Sequence, residues 1–186
     1  DADVKDVMTL ILEHHMAARR MGFSEFFEPL YKEEKLKTGI LDGTLSGVSF
    51  FTKIVLPLID AKLKNDDFTV ARIVKSESTF FKKEELLKNQ EQIENIRDAK
   101  KALLNLYDLW NNDIDPLLIN ILQNIYKSKL FPIPDSLYPI ASRTLDEQKI
   151  AAKEESISEE IKKDEGKDLS DIIIDAWELA LSSPFS

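Results

Sequence analysis

The stretch IENIRDAKKALLNLYDLW, residues 93–110, carries the strongest indication of how this chain folds. Its apolar side chains return every three or four positions, a spacing that places them on one face of an α-helix. We therefore expect one long helix over roughly residues 80–111. The face that should pack into the core carries Ile93, Ile96, Ala99, Leu103, Tyr107 and Trp110.

Helical spacing also predicts two helices near the N-terminus. The first covers residues 1–21 and can end at Gly22, because glycine readily takes the left-handed conformation that closes many helices. The second covers residues 24–39. Pro29 should lie near its start, where proline is tolerated, and Gly39 should lie at its C-terminal end.

The next apolar run, residues 48–65, predicts a helix that Pro57 should kink, because proline supplies no backbone donor and crowds the preceding turn. The following residues, 65–78, fit either a short helix capped by Asp67 or a strand, and we favour the helix. The buried face of residues 48–65 should carry Phe51, Val55, Leu58, Ile59 and Leu63.

Towards the C-terminus, Asp115 can cap a helix whose first position is Pro116. A last apolar stripe, which includes Trp177, predicts a closing helix. Only five glycines occur in the 186 residues, which is sparse for folds built on tight turns. The sequence therefore predicts an all-α fold, an irregular bundle or short solenoid of about seven or eight antiparallel helices.

We expect residues 1–186 to form a single helical domain, because this length suits one domain and the hydrophobic content of 43% suffices for a core. The segment 145–168 differs from the rest. Residues 145–171 contain ten acidic residues against five lysines, so they contribute −5 of the net charge of −9. Such a segment is typical of a solvated helix or a mobile linker.

The overall charge restricts the class of partner. A net charge of −9 opposes binding to nucleic acid and to anionic membrane surfaces, since both attract clustered lysine and arginine. We see no apolar run near the roughly 18 to 20 residues that a membrane-spanning helix needs. The absence of cysteine favours a cytoplasmic or nuclear location and excludes thiolate chemistry.

The two histidines, His14 and His15, are adjacent, and neighbours on a helix point about 100° apart. They are therefore poorly placed to bind one metal ion, and we expect His15 at the core edge and His14 at the surface. The phosphate-binding loop, the dinucleotide-binding fingerprint and the nucleophile elbow are all missing from the sequence. We accordingly expect no enzymatic activity, no metal and no cofactor.

Another protein is the expected partner. Aromatic and arginine side chains supply most of the binding energy at protein interfaces. The candidate contact residues, which lie outside the clearest apolar stripes, are Arg19, Arg20, Phe26, Phe27, Tyr31 and Phe131. An alternative is that Phe26, Phe27 and Tyr31 join helices within the core.

The sequence thus favours a protein–protein interaction or scaffolding module within a larger protein or complex. The alternative is a helical carrier of an apolar small ligand, because prolines inside helices can open a cavity. The two hypotheses predict different surfaces. An interaction module should expose an apolar groove, whereas a carrier should enclose an apolar pocket of roughly 300 Å³ or more.

Overall fold

The computed structural model describes residues 14–82, 92–112, 115–143 and 169–185, and the described residues form an all-α bundle without a β-strand. Helix α1 is described from residue 14 to residue 21. The helices that follow are α2 (Ser24–Lys32), α3 (Glu34–Leu41), α4 (Ser46–Phe50), α5 (Leu56–Leu63), α6 (Asp67–Glu77), α7 (Gln92–Asn112), α8 (Leu118–Ser128), α9 (Tyr138–Ala141) and α10 (Leu169–Leu181).

Helix α10 is central to the bundle and packs against α2, α8 and α9. Its Trp177 is 1% exposed and is among the largest fully buried side chains of the core. Aliphatic residues of α8 complete that core, with Ile121, Leu122 and Ile125 fully buried. The all-α prediction and the predicted C-terminal helix are therefore confirmed.

The long helix predicted over roughly residues 80–111 is confirmed as α7 over Gln92–Asn112, whereas Thr79–Phe81 form a separate 3-10 turn and residues 83–91 lie outside the described residues. The predicted core face is wrong at one end. Ile93 and Ile96 are 70% and 57% exposed, while Ala99, Ala102 and Leu106 are buried. Helix α7 packs against α8, and its buried residues Ala99, Ala102 and Leu106 lie on the inward side of the helix. The larger isoleucines at the N-terminal end are left facing outward.

The single helix predicted for residues 24–39 is instead two helices, α2 and α3. They are separated at Glu33, whose backbone is extended with φ −81° and ψ 116°. Pro29 lies inside α2 rather than near its start. Gly39 lies inside α3, and the chain turns only at Gly43, whose φ of +66° is left-handed.

The helix predicted to kink at Pro57 contains a π-helical segment, Phe51–Val55, which joins α4 to α5. Pro57 lies directly after this segment, as the second residue of α5. The Leu56 amide donates to the Phe51 carbonyl five residues back, and this wider turn accommodates a proline that has no amide hydrogen. Leu63, predicted on the buried face, is 72% exposed.

The helical interpretation of residues 65–78 is confirmed by α6, although Asp66 rather than Asp67 caps the helix. The Thr69 amide donates a hydrogen bond to the Asp66 side chain at 3.0 Å. Hydrogen bonding with the Thr69 side chain, and to a smaller extent with the Thr69 amide, lowers the pKa of Asp66 because these bonds stabilise the carboxylate form.

The start of α8 differs from the prediction by two residues, because the helix begins at Leu118 rather than at Pro116. A contact with the C-terminal segment explains the shift. The Leu118 amide donates to the Ser183 carbonyl at 3.1 Å, and the Phe185 amide donates to the Pro116 carbonyl at 3.1 Å. Distant backbone thus replaces the side-chain cap that Asp115 was expected to supply.

Two further predictions concern the charged segment and the expected absence of an apolar run long enough to span a membrane. The charged segment 145–168 lies outside the described residues. Within them, an 18-residue window of the helical stretch Glu34–Leu63 has a mean hydropathy of 1.3, so this stretch is long and apolar enough to cross a membrane by length and composition alone. Buried core helices pass the same test, and Phe50, Val55 and Leu58 of this stretch are buried.

Candidate functional site

An apolar cavity of about 450 Å³ opens between the α1–α2 corner, the α4–α5 helix and the C-terminal segment. We call it the aromatic groove. Its described lining residues are His14, Met21, Gly22, Phe23, Glu25, Phe26, Phe27, Ile40, Val48, Phe51, Thr52, Leu56, Leu118, Ser183, Pro184 and Phe185.

The first wall is built by the turn that ends α1. Gly22 has a φ of +82°, as predicted for a glycine that ends a helix. The Phe23 amide donates to the Ala18 carbonyl at 3.0 Å and the Gly22 amide to the Arg19 carbonyl at 3.4 Å, which is the Schellman pattern. This turn leaves Met21 and Phe23 at the groove, 75% and 39% exposed.

The opposite wall comes from the helix that contains the π turn. Phe51 is buried at the base of this wall, and Leu56, which directly follows the π segment, is 48% exposed. Because the π turn inserts an extra residue relative to a regular helix, it changes which side chains face outward. The irregularity at Pro57 therefore shapes the groove.

The C-terminal segment supplies the third wall. Its position depends on the two backbone hydrogen bonds to Pro116 and Leu118 described above and on a ring contact. The rings of Phe185 and Trp110 meet edge to face, with centroids 5.4 Å apart. Side chains that are remote in sequence thus complete the cavity.

The predicted contact residues Phe26 and Phe27 both line this groove. Phe27 is 5% exposed and stacks on Tyr31 with ring centroids 5.2 Å apart. His15 of α1 packs edge-on against both rings, 5.4 Å from Phe27 and 4.6 Å from Tyr31. Phe27 and Tyr31 therefore join α1 to α2, as the alternative interpretation expects, and Phe27 also forms part of the groove wall.

The other predicted contact residues lie elsewhere. Arg19 and Arg20 are exposed in the last turn of α1, and Arg19 lies 3.8 Å from Glu28 in an exposed ion pair. Neither arginine lines the aromatic groove. Phe131 is 2% exposed and belongs to the core, so the described structure leaves almost none of it for a partner to contact.

Sequence reasoning did not select Met21, Phe23, Leu56 or Phe185. For Phe23 a signal existed, because a residue directly after a helix-ending glycine lies at a corner. Leu56 belongs to a continuous apolar run, and only the π turn distinguishes it from its buried neighbours. Phe185 gave no local signal, since its place depends on contacts with Pro116 and Trp110.

Polar groups are few in the aromatic groove, with His14 and Glu25 as its ionisable side chains. Among the residues that the structure describes, no three aspartate, glutamate or histidine side chains lie close enough together to hold a metal ion. The arrangement is thus suited to binding apolar groups. Comparisons of the chain with protein-family profiles, curated proteins and solved structures found no match.

Proposed function

We propose that this chain is a protein-interaction or scaffolding module within a larger protein or complex, and that it binds its partner through the aromatic groove. One observation carries the proposal: exposed Met21, Phe23 and Leu56 surround an apolar cavity that is open to solvent. A contiguous exposed apolar surface is unfavourable in water unless another molecule covers it.

The composition of the groove supports a protein as the occupant. Phenylalanine and methionine are enriched at the centres of protein interfaces, where charged residues are depleted. Methionine also adapts its shape to different partners because its side chain is unbranched and flexible. Met21 and Phe23 at the rim would then contact apolar side chains of the partner.

A helical carrier of an apolar small ligand is the second candidate. The cavity volume of about 450 Å³ lies within the range of small-molecule sites, and this favours it. A carrier would need to shield the ligand from water. The groove instead has an open side bordered by exposed side chains, and this favours the protein partner.

The test is site-specific photo-cross-linking in cells of origin, with a benzophenone amino acid placed at Leu56 or at Leu63. These leucines form a matched pair, since both are on α5 and both are exposed, at 48% and 72%. Only Leu56 lines the groove. We expect a discrete protein adduct from position 56 that position 63 does not form.

The identified protein is then purified and its affinity measured against charged variants. Leu56→Glu should weaken binding at least about tenfold, because the glutamate would be desolvated in an apolar contact, and Leu63→Glu should leave the affinity unchanged. Identical adducts from both positions, or equal affinities of the two variants, would overturn the proposal. A groove that cross-links only to small apolar molecules would favour the carrier.

A further inference from the structure

A second cavity, of about 550 Å³, lies between α6 and α7 on a surface that the proposed function does not use. Its apolar walls include Val70 and Val74 of α6 and Ile96 and Leu103 of α7, with Phe81 beside them. Two lysines line it as well, Lys75 and Lys100, one from each helix. We call it the lysine-rimmed groove.

Lys75 and Lys100 line the same cavity, one from each helix, and an antiparallel arrangement of α6 and α7 would bring them to a similar level. The start of α6 is beside Tyr107, since Lys62 at the end of α5 lies with its Nζ 5.2 Å from the Tyr107 ring centroid. From Asp67 to Lys75, α6 advances about 12 Å. From Tyr107 back to Lys100, α7 covers about 10 Å, a similar distance, which is consistent with both lysines lining one end of the cavity.

At this end of the groove, the ionisable side chains among the described lining residues are Lys75 and Lys100. Among the described residues, neither Lys75 nor Lys100 forms an ion pair, and both are exposed. The acidic side chain that lines the groove, Asp67, is at the opposite end. Two cationic groups beside an apolar cavity are complementary to a ligand with an anionic head and an apolar body.

The net charge of the chain favours some anionic ligands of this groove over others. A net charge of −9 repels an acidic protein segment or a nucleic acid at long range. A ligand with a single negative charge is repelled far less and still gains the local attraction of the two lysines. The volume and the apolar walls fit an unbranched hydrocarbon chain.

We propose that the lysine-rimmed groove binds a single-chain amphiphile with one carboxylate, of the fatty-acid class. The carboxylate lies between Lys75 and Lys100, and the hydrocarbon chain packs along Val70, Val74 and Leu103. Burial of the chain supplies most of the affinity, while the lysines select the charge of the head group.

The experiment compares three ligands with the same ten-carbon chain: decanoate, decanol and decyltrimethylammonium. Binding to the full chain is followed by titration calorimetry and amide NMR shifts, below the critical micelle concentrations of the two ionic ligands and below the aqueous solubility of decanol. Decanoate should bind saturably and more tightly than decanol, and decyltrimethylammonium should bind weakest. Added salt should weaken decanoate but not decanol, because screening acts only on the charged head.

Matched variants locate the site. Lys75→Gln combined with Lys100→Gln should weaken decanoate roughly five- to tenfold and leave decanol unchanged, as expected for two exposed charge contacts. Lys101→Gln is the control, because Lys101 is an exposed neighbour that does not line the groove. Ile96→Ser should weaken both ligands, whereas Ile93→Ser, at the similarly exposed position outside the groove, should not.

Three results would overturn the proposal: no saturable binding of decanoate, equal affinity for the anionic and cationic ligands, or the same loss from Lys101→Gln as from the double variant. Loss of decanoate binding in Leu56→Glu would place the ligand in the aromatic groove and would also contradict it. The two sites are thus tested separately, since Leu56 lines only the aromatic groove.

Discussion

At the scale of single residues, the contact between Gly47 and Trp177 joins α4 to the central helix α10. Glycine is a poor helix residue, because it loses more backbone entropy than alanine on folding. Here it is buried, and a Cβ at this position would lie 2.6 Å from the nearest carbon of the Trp177 ring. The close approach of the indole therefore explains a residue that local propensity disfavours.

Gly47→Ala should lower the free energy of unfolding by about 1–2 kcal/mol, because overpacking a buried ring outweighs the gain in helix propensity. Gly39→Ala in α3 is the matched control. Its new Cβ would meet the end of the Leu45 side chain, which can move aside, so stability should stay level or rise by up to about 1 kcal/mol. Urea denaturation checks both, and equal stability of the variants would contradict the explanation.

At the scale of elements, Tyr107 connects α7 to the corner between α5 and α6. Lys62 of α5 lies against its ring, and its hydroxyl is buried without a hydrogen-bond partner among the described residues. Burial, and to a smaller extent the negative charge of Asp67, raises the pKa of Tyr107 to about 12. Both causes disfavour the phenolate, so the neutral form of Tyr107 is favoured where these helices meet.

This raised pKa predicts an alkaline loss of stability. The folded state holds the proton more tightly than the unfolded state, whose ordinary pKa is 10.0. The stabilising contribution is therefore complete below pH 10 and is lost as the pH rises towards about 12. Tyr107→Phe removes the titrating group and the unpaired hydroxyl, so its free energy of unfolding should fall less over this range than that of the parent chain.

Urea denaturation at several pH values between 8 and 12 measures the difference between the two proteins. Other tyrosines and the lysines titrate in both proteins, and their effect is removed by the subtraction. A difference that does not change with pH would show that Tyr107 does not titrate differently in the folded state.

At the scale of the whole molecule, Arg143 contacts two helices that are far apart in sequence. Its guanidinium pairs with Glu178 of α10, and its carbonyl accepts a hydrogen bond from the Gln123 side-chain amide of α8 at 3.1 Å. Both members of the ion pair are only about one-third exposed, at 35% and 29%. Partial burial reduces screening by water and leaves the pair more important than a surface one.

Arg143→Gln should lower the free energy of unfolding by roughly 1–2 kcal/mol, because the partly buried Glu178 carboxylate would lose its charge-assisted contact with the guanidinium. Arg19→Gln is the control. The Arg19 side chain is 75% exposed and lies 3.8 Å from Glu28, so its loss should change stability by less than about 0.5 kcal/mol. Thermal and urea denaturation measure both, and equal effects would refute the structural role of Arg143.

Features that depend on neighbouring residues could be predicted from the sequence, whereas features that depend on contacts between distant residues could be predicted only in part. The helix over residues 93–110 and the turn at Gly22 follow from local spacing and local backbone preference, and both predictions are confirmed. The inward face of α7 was predicted only in part. Ile96 was predicted in the core because it is apolar and in register, but it is 57% exposed, while Ala99 and Ala102 are buried.

By itself, the sequence determined that the described chain is helical and where most helices run, because helical hydrogen bonds and apolar spacing are set within a few residues. Only the tertiary structure decided which apolar side chains remain exposed. The aromatic groove needs Phe23, Leu56 and Phe185 to meet, and the last of these is placed by backbone hydrogen bonds between segments about seventy residues apart. Whether a side chain is buried depends on the residues that pack against it. Contacts between distant parts of a chain produce no periodic pattern in its sequence.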